Sequence, residues 1–351
     1  VFVLAIVLAA ATAAIEALPL PSGFHLDPAD RVRVGARGDM AALVRRSAGG
    51  AASIYVWNPA GTGHVLPAPP LARGDLSATL ELGALGPGGE VYAAVIRYIE
   101  GARMEQTEDD VVYAGTGAKP FTTGCPGGSA LPSFANNDGT LGITFLADPN
   151  DATPDNALDG SQAPDAALVR GKHCIALGHD YVTAARGEYI AGYRGYTSAT
   201  SHILGPSNLN RDSQYYVALR WFDLKPQELG TGVALDVASD GTCVGADRLP
   251  EDHPHALVWN ASGTATRLAS GDAESVAYAI DDNGRSVGTL VDASTKARYA
   301  FVVAASHLRR LDDVVRDSHW RLTYAYAILP DGRIVGTGLH DGVPAVFVVR
   351  M

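Results

Sequence analysis

Short apolar runs, four to eight residues long, recur along the chain and are broken by Gly, Asp and Asn. That spacing suits β-strands joined by tight turns rather than helices. The pattern is sharpest in the last third, where one unit occurs three times. It reads ALDVASDGTCVG over 234–245, AYAIDDNGRSVG over 277–288 and AYAILPDGRIVG over 325–336. Each copy is an apolar strand, an Asp-Gly or Asn-Gly turn, and a second strand ending in Gly. Such dipeptides favour two-residue hairpins because Gly and Asn tolerate positive φ. A third apolar run follows each copy: HALVW at 255–259, YAFVV at 299–303, PAVFVV at 344–349. The first two copies add a short fourth segment, TATRLA and LRRLDD.

Weaker copies lie upstream: FHLDPADRVRVG (24–35), LGALGPGGEVYA (82–93), FANNDGTLG (134–142) and YVTAARGEYIAG (181–192). The hairpins end at Gly35, Ala93, Gly142, Gly192, Gly245, Gly288 and Gly336. Seven units of about 50 residues indicate radial or linear repetition. Four antiparallel strands in 40–50 residues is the size of a propeller blade. The predicted fold is therefore all-β: a seven-bladed β-propeller of four antiparallel strands per blade. Blades are expected at about 22–72, 73–121, 122–177, 178–229, 230–273, 274–321, and 322–351 together with 15–21. The last unit ends without a fourth strand, and AIEALPLP (14–21) resembles the missing piece. It is expected to pair with the last blade and close the ring, which removes an open edge.

Composition adds bounds. The chain has 351 residues, 47% hydrophobic and 19% charged, enough apolar material for a packed core and too much for disorder. Gly (39) and Pro (20) are in excess, as a turn-rich fold requires. The net charge is −11 with no basic run, which argues against nucleic acid and anionic membranes. Residues 1–14 read VFVLAIVLAAATAA, too short to span a bilayer. They match the apolar core of a signal peptide, with Ala11-Thr12-Ala13 as a cleavage site, although the basic leader and initiator Met are missing. A truncated signal remnant, and hence a secreted, extracellular or periplasmic protein, is expected; a buried N-terminal strand is the alternative. Cys243 sits in a strand-like run and reads as a buried apolar residue. Cys125 and Cys174 either pair or stay as thiols.

The pattern A-x-A-I-x-D-x-G-x-x-V-G, followed by a strand of the H/Y-A-F/L-V type, resembles the HAF-type extracellular repeat of bacteria. His255-Ala256-Leu257 and Tyr299-Ala300-Phe301 stand at the His-Ala-Phe position. The match is good over 230–351 and degenerate over 20–229. The resemblance implies a secreted or surface-attached propeller-like protein and implies no activity.

Departures from the repeat locate candidate chemistry. Units 1–4 carry long insertions between second and third strands, and in a propeller these all emerge on one face, often the binding face. The insertion of unit 3 holds Asp148, Asp151, Asp155, Asp159 and Asp165. Oxygen-rich loops suit Ca²⁺, but the EF-hand spacing is absent and a solvated acidic loop explains the residues as well. The insertion of unit 4 includes Tyr193, Arg194, Tyr196, His202, Asn208 and Arg211, a mix suited to a glycan or peptide, or an ordinary long loop. Unit 2 adds Arg97, Tyr98, Glu100 and Arg103. Trp57, Trp221 and Trp259 share one position in their units, and blade-to-blade packing explains them better than sugar stacking. His253 and His255 share a strand face without a third ligand in the sequence nearby. No nucleophile elbow, H-E-x-x-H, C-x-x-C or P-loop occurs.

These features predict a non-enzymatic binding module, with a glycan or protein ligand on the insertion face. Calcium is the one cofactor with any support, no membrane span is expected, and the protein is expected to be a monomer. The alternatives are a propeller enzyme of the glycoside hydrolase or lyase type, using carboxylates in the funnel, and a purely structural surface protein.

Overall fold

The computed structural model describes residues 13–26, 31–67, 75–99, 105–115, 117–123, 125, 130–145, 166–178, 180–196, 215–248, 253–269 and 273–351. They form seven antiparallel sheets arranged as the blades of a β-propeller. Strands fall within 24–66 in blade 1, 75–120 in blade 2, 130–178 in blade 3 and 181–231 in blade 4. Blades 5, 6 and 7 take 233–267, 275–310 and 320–350. Each blade is a meander, with its first strand innermost. One helical turn, Leu311–Val315, links blades 6 and 7 and buries Leu311 and Val315.

The outer strand of blade 7 comes from the other end of the chain. Ala14–Leu18 pairs antiparallel with Val343–Arg350, Ala14 opposite Arg350 and Leu18 opposite Val346. Leu18 is buried with Trp57, Val335 and Val346 between blades 7 and 1. The Trp57 indole donates to the Pro19 carbonyl at 2.9 Å. The predicted closure is thus made by backbone pairing, a buried Leu and an indole hydrogen bond together.

Apolar side chains fill the wedges between neighbouring blades. Tyr113 and Leu82 lie between blades 1 and 2, and Trp221 and Leu219 between blades 3 and 4. Trp259 and Cys243 lie between blades 4 and 5, and Phe347 and Trp320 between blades 6 and 7. Trp57, Trp221 and Trp259 are each 0% exposed, so the shared Trp position is a packing position. Cys243 is a buried free thiol. Cys125 and Cys174 form a disulfide. It ties the connection that enters blade 3 to the outer strand of that blade, His173–Gly178.

The glycine that ends each motif has a backbone cause. In blades 2–7 the inner strand carries a β-bulge against the second strand. Such a bulge bends the strand and re-aims one side chain. In blade 6 the shift falls between Ala277 and Ala279, with Ala277 opposite Gly288. A Cβ on Gly288 would run into the Val276 carbonyl oxygen and the Phe301 ring. Gly336 meets the Tyr324 carbonyl oxygen and the Phe347 ring in the same way.

Blade 1 departs from the sequence reading. FHLDPADRVRVG is not a hairpin. Its two strands, Phe24–Leu26 and Arg33–Val34, both pair with Met40–Arg46 as one interrupted inner strand. The turn lies at Gly35–Asp39, closed by Gly35 N–H to the Asp39 carbonyl at 2.8 Å, with Gly38 at φ 85°. The second-to-third connection of blade 1 is then only residues 47–52, no longer than those of blades 5 and 6. Residues 27–30, between the two pieces of the inner strand, lie outside the described residues. Blade 2 instead extends its hairpin, Val91–Ile99 with Glu105–Ala114. The long connections at 146–165 and 197–214 lie outside the described residues.

Deleting residues 15–21 should lower the melting temperature by on the order of 10 °C, since it unburies Leu18 and bares the edge of the last strand. Unchanged thermal unfolding would contradict the closure. Gly288→Ala should destabilise by about 3 kcal/mol in a denaturant titration. Gly117→Ala, where a Cβ meets nothing within 4 Å, should be near neutral.

Candidate functional site

The inner strands surround a central channel of about 1300 Å³. Because every blade is a meander, all first-to-second hairpins lie at one end of the channel, the hairpin face. The second-to-third connections and the blade-to-blade links lie at the other, the insertion face. The bulge places one residue per blade toward the channel: Ser133, Thr183, Leu235, Tyr278 and Tyr326 in blades 3–7 all line it. Blade 1 contributes Arg31 and Arg33, and blade 2 contributes Glu81 and Gly83. The channel is two-sided, apolar and aromatic on blades 5–7 and polar on blades 1–4 at this level.

At the insertion face, Tyr181 begins the inner strand of blade 4 and pairs with Tyr193 on the second strand. Their rings stack at 4.8 Å with planes 13° apart. Tyr193 also meets the edge of Tyr216 at 5.8 Å and packs, like Leu235 and Tyr278, against the cluster of Val233, Ala246 and Val276. Tyr181 is 37% exposed, so part of its surface stands open at the channel mouth.

The hairpin end is polar. Asp236 of blade 5 accepts from the Ile280 N–H of blade 6 at 2.8 Å and from the Val237 N–H at 2.9 Å. Arg186 of blade 4 lies 3.9 Å from Asp236 and donates to the Ile280 carbonyl at 3.0 Å and to Asp282 at 3.4 Å. Asp282 also accepts from the Ser239 N–H at 2.9 Å. Three blades are clasped here. Burial pushes the Asp236 carboxyl up to about 6, and Arg186 and the two N–H donors only partly offset it. The Ser239 N–H holds Asp282 below the usual carboxylate range.

The residues singled out from sequence divide. Tyr193 lines the channel mouth as described. Arg194, its strand neighbour, points elsewhere: it grips buried Asp180 at 2.7 and 3.2 Å and reaches Glu228 at 3.2 Å. That geometry is a structural clasp, because the guanidinium fork is already filled. Arg97 pairs with Asp109 at 2.8 Å across blade 2, and Tyr98 lies opposite Gln106 on the same hairpin. Blade 3 stands between these two and Tyr193. Tyr196 ends the second strand of blade 4; its side chain and all of His202 lie outside the described residues. So do Asp148, Asp151, Asp155 and Asp159, on which the calcium expectation rests. Among the described residues no group of three metal-ligating side chains occurs, and no helix is long and apolar enough to cross a membrane.

His255, the first residue of the His-Ala-Leu strand, closes the blade 5 connection. Its N–H donates to Asp247 at 2.7 Å and its Nδ1 lies 2.9 Å from the same carboxylate. His253 pairs with Glu274 at 2.6 Å instead. Sequence reasoning missed Arg31, Asp236, Tyr278 and Tyr326. The signal was present: Leu235, Tyr278 and Tyr326 fill the variable position inside the constant frame A-x-A or A-x-D.

No family model matches the chain, and no curated protein matches its sequence. Solved structures similar to it are β-propellers. The propeller domain of the Trilobed protease from Pyrococcus furiosus is 10% identical with a TM-score of 0.49, over 93% of this chain and 95% of that one. A puromycin hydrolase mutant is 14% identical with a TM-score of 0.49, over 89% of this chain but only 50% of its own. A gluconolactonase from Xanthomonas campestris is 13% identical with a TM-score of 0.38, over 84% and 88%. The seven antiparallel sheets around the channel define the class of this protein as a seven-bladed β-propeller.

Asp236 supplies a pH test of the clasp. Its folded value lies above the ordinary carboxyl value of about 3.8, so between about pH 4 and 6 the folded chain holds a proton that the unfolded chain releases. Its contribution to stability therefore falls as pH rises through that window. Stability of the wild type relative to Asp236→Asn should decline by up to about 3 kcal/mol from pH 4 to 6.5. A difference that stays flat over that range would contradict the assignment.

Proposed function

We propose that the protein is a secreted or surface-attached binding module of the HAF-repeat type, whose carbohydrate ligand enters the channel from the insertion face. One observation carries this reading: the open Tyr181 ring, stacked on Tyr193 at the channel mouth. A flat aromatic face held by a second ring is a low-entropy platform for a sugar ring. The Cys125–Cys174 disulfide supports an oxidising compartment.

The enzyme reading rests on Asp236, the carboxyl with a raised pKa in the channel. Hydrolysis by the usual two-carboxylate route needs a general acid free to reach the glycosidic oxygen. Asp236 is already held by two N–H donors and faces Arg186, so it is not free to serve as that acid.

The test is a glycan and peptide array probed with the whole chain. Binding to carbohydrate should fall at least tenfold in Tyr181→Ala, with little change in melting temperature. An empty array, hits on peptides alone, or hits indifferent to Tyr181→Ala would overturn the proposal.

A further inference from the structure

A second arrangement crosses the channel. The Arg31 guanidinium of blade 1 lies over the Tyr278 ring of blade 6, 4.9 Å from its centre. Tyr278 meets Tyr326 of blade 7 at 5.4 Å. Tyr326 stacks on Tyr324 at 5.3 Å with planes 11° apart. Arg298 covers the Tyr324 ring at 5.0 Å. Three tyrosine rings thus lie between two guanidinium groups.

The other arginines at the channel and its rim are committed. Arg33 donates to the Leu82 carbonyl, Arg186 belongs to the Asp236 clasp, Arg285 pairs with Asp281 and Arg333 with Asp331. Among the described residues, Arg31 and Arg298 form no ion pair and no hydrogen bond, only these ring contacts. A ring face attracts a cation but returns no counter-charge, and it leaves the N–H edges of the guanidinium open. Resting flat on a ring also fixes the fork, which lowers the cost of gripping a carboxylate in bidentate fashion. Arg31 lines the channel and is exposed within it.

The surrounding charge limits the anion. Glu81 lines the same channel, and its hairpin end carries Asp138, Asp236, Asp281, Asp282 and Asp331. The chain as a whole carries −11. A polyanion would be repelled by this field, whereas a single carboxylate in the channel can be met by Arg31, which lines it.

We propose that the channel selects a saccharide bearing one carboxylate, a uronic acid unit, with Arg31 as the carboxylate receptor. This rests on the carbohydrate-binding reading above and specifies its ligand. The experiment is calorimetric titration of the whole chain with glucuronosyl-glucose and with its neutral counterpart, glucosyl-glucose. The acidic sugar should bind at least tenfold tighter at low salt, and the advantage should shrink as salt rises. Arg31→Gln should remove the advantage of the acidic sugar over the neutral one, while Tyr278→Phe, which keeps the ring, should retain it. Arg31 makes no hydrogen bond among the described residues, so the variant should fold. Arg31→Lys, which keeps the charge and loses the fork, gives an independent comparison and should bind the acidic sugar several-fold more weakly. Equal binding of the two sugars, or an advantage that survives Arg31→Gln, would overturn the proposal and leave carbohydrate binding in the channel standing. Failure of both sugars together with an empty glycan array would overturn both readings.

Discussion

Everything in this ring depends on one short pairing, Ala14–Leu18 against Val343–Arg350. A propeller has no central hydrophobic ball. Its core is divided into wedges, each shared by two blades, so every blade is stabilised only by its neighbours. An open ring would leave blade 7 with an unpaired edge and would weaken the wedge around Trp57. Joining the two ends of the chain in one sheet turns seven neighbour contacts into a closed cycle. The inner strands, and therefore the channel residues, keep their positions because that cycle is closed.

A second constraint sets what the channel contains. The bulge in the inner strand brings a carbonyl so close to the second strand that only Gly fits opposite it, as at Gly288 and Gly336. The same bulge directs its extra residue toward the channel. Scaffold and site are therefore written in one motif. The Gly of the second strand accommodates the bulge, and the bulged residue of the inner strand is free to be Thr183, Leu235, Tyr278 or Tyr326. Function can vary at that position without disturbing the blade.

That division explains how much was legible in the sequence. Blade number, strand order and closure followed from periodic Gly and turn residues, since each has a local backbone cause. Blade 1 was misread because DPAD looks like a turn, although the pairing partner of Phe24–Leu26 is Met40–Arg46. Tyr193 was found as a departure from the repeat. Arg194 and Arg97 were drawn in by the same criterion, and their ion pairs with Asp180 and Asp109 are contacts no single sequence displays. The ladder from Arg31 to Arg298 joins blades 1, 6 and 7, so its members lie far apart along the chain. Asp236 replaces the Ala of its sister units, a readable departure, but its partners come from blades 4 and 6.

Native-state hydrogen exchange on the last strand tests the closure most directly. Half of the amides of Val346–Arg350 face the N-terminal strand, and half face Ile334–His340. If Ala14–Leu18 closes the ring, both halves exchange with the protection of the blade core, and the amides of Ala14–Leu18 share it. Rapid exchange of the half facing Ala14–Leu18, with the other half protected, would contradict a closed ring.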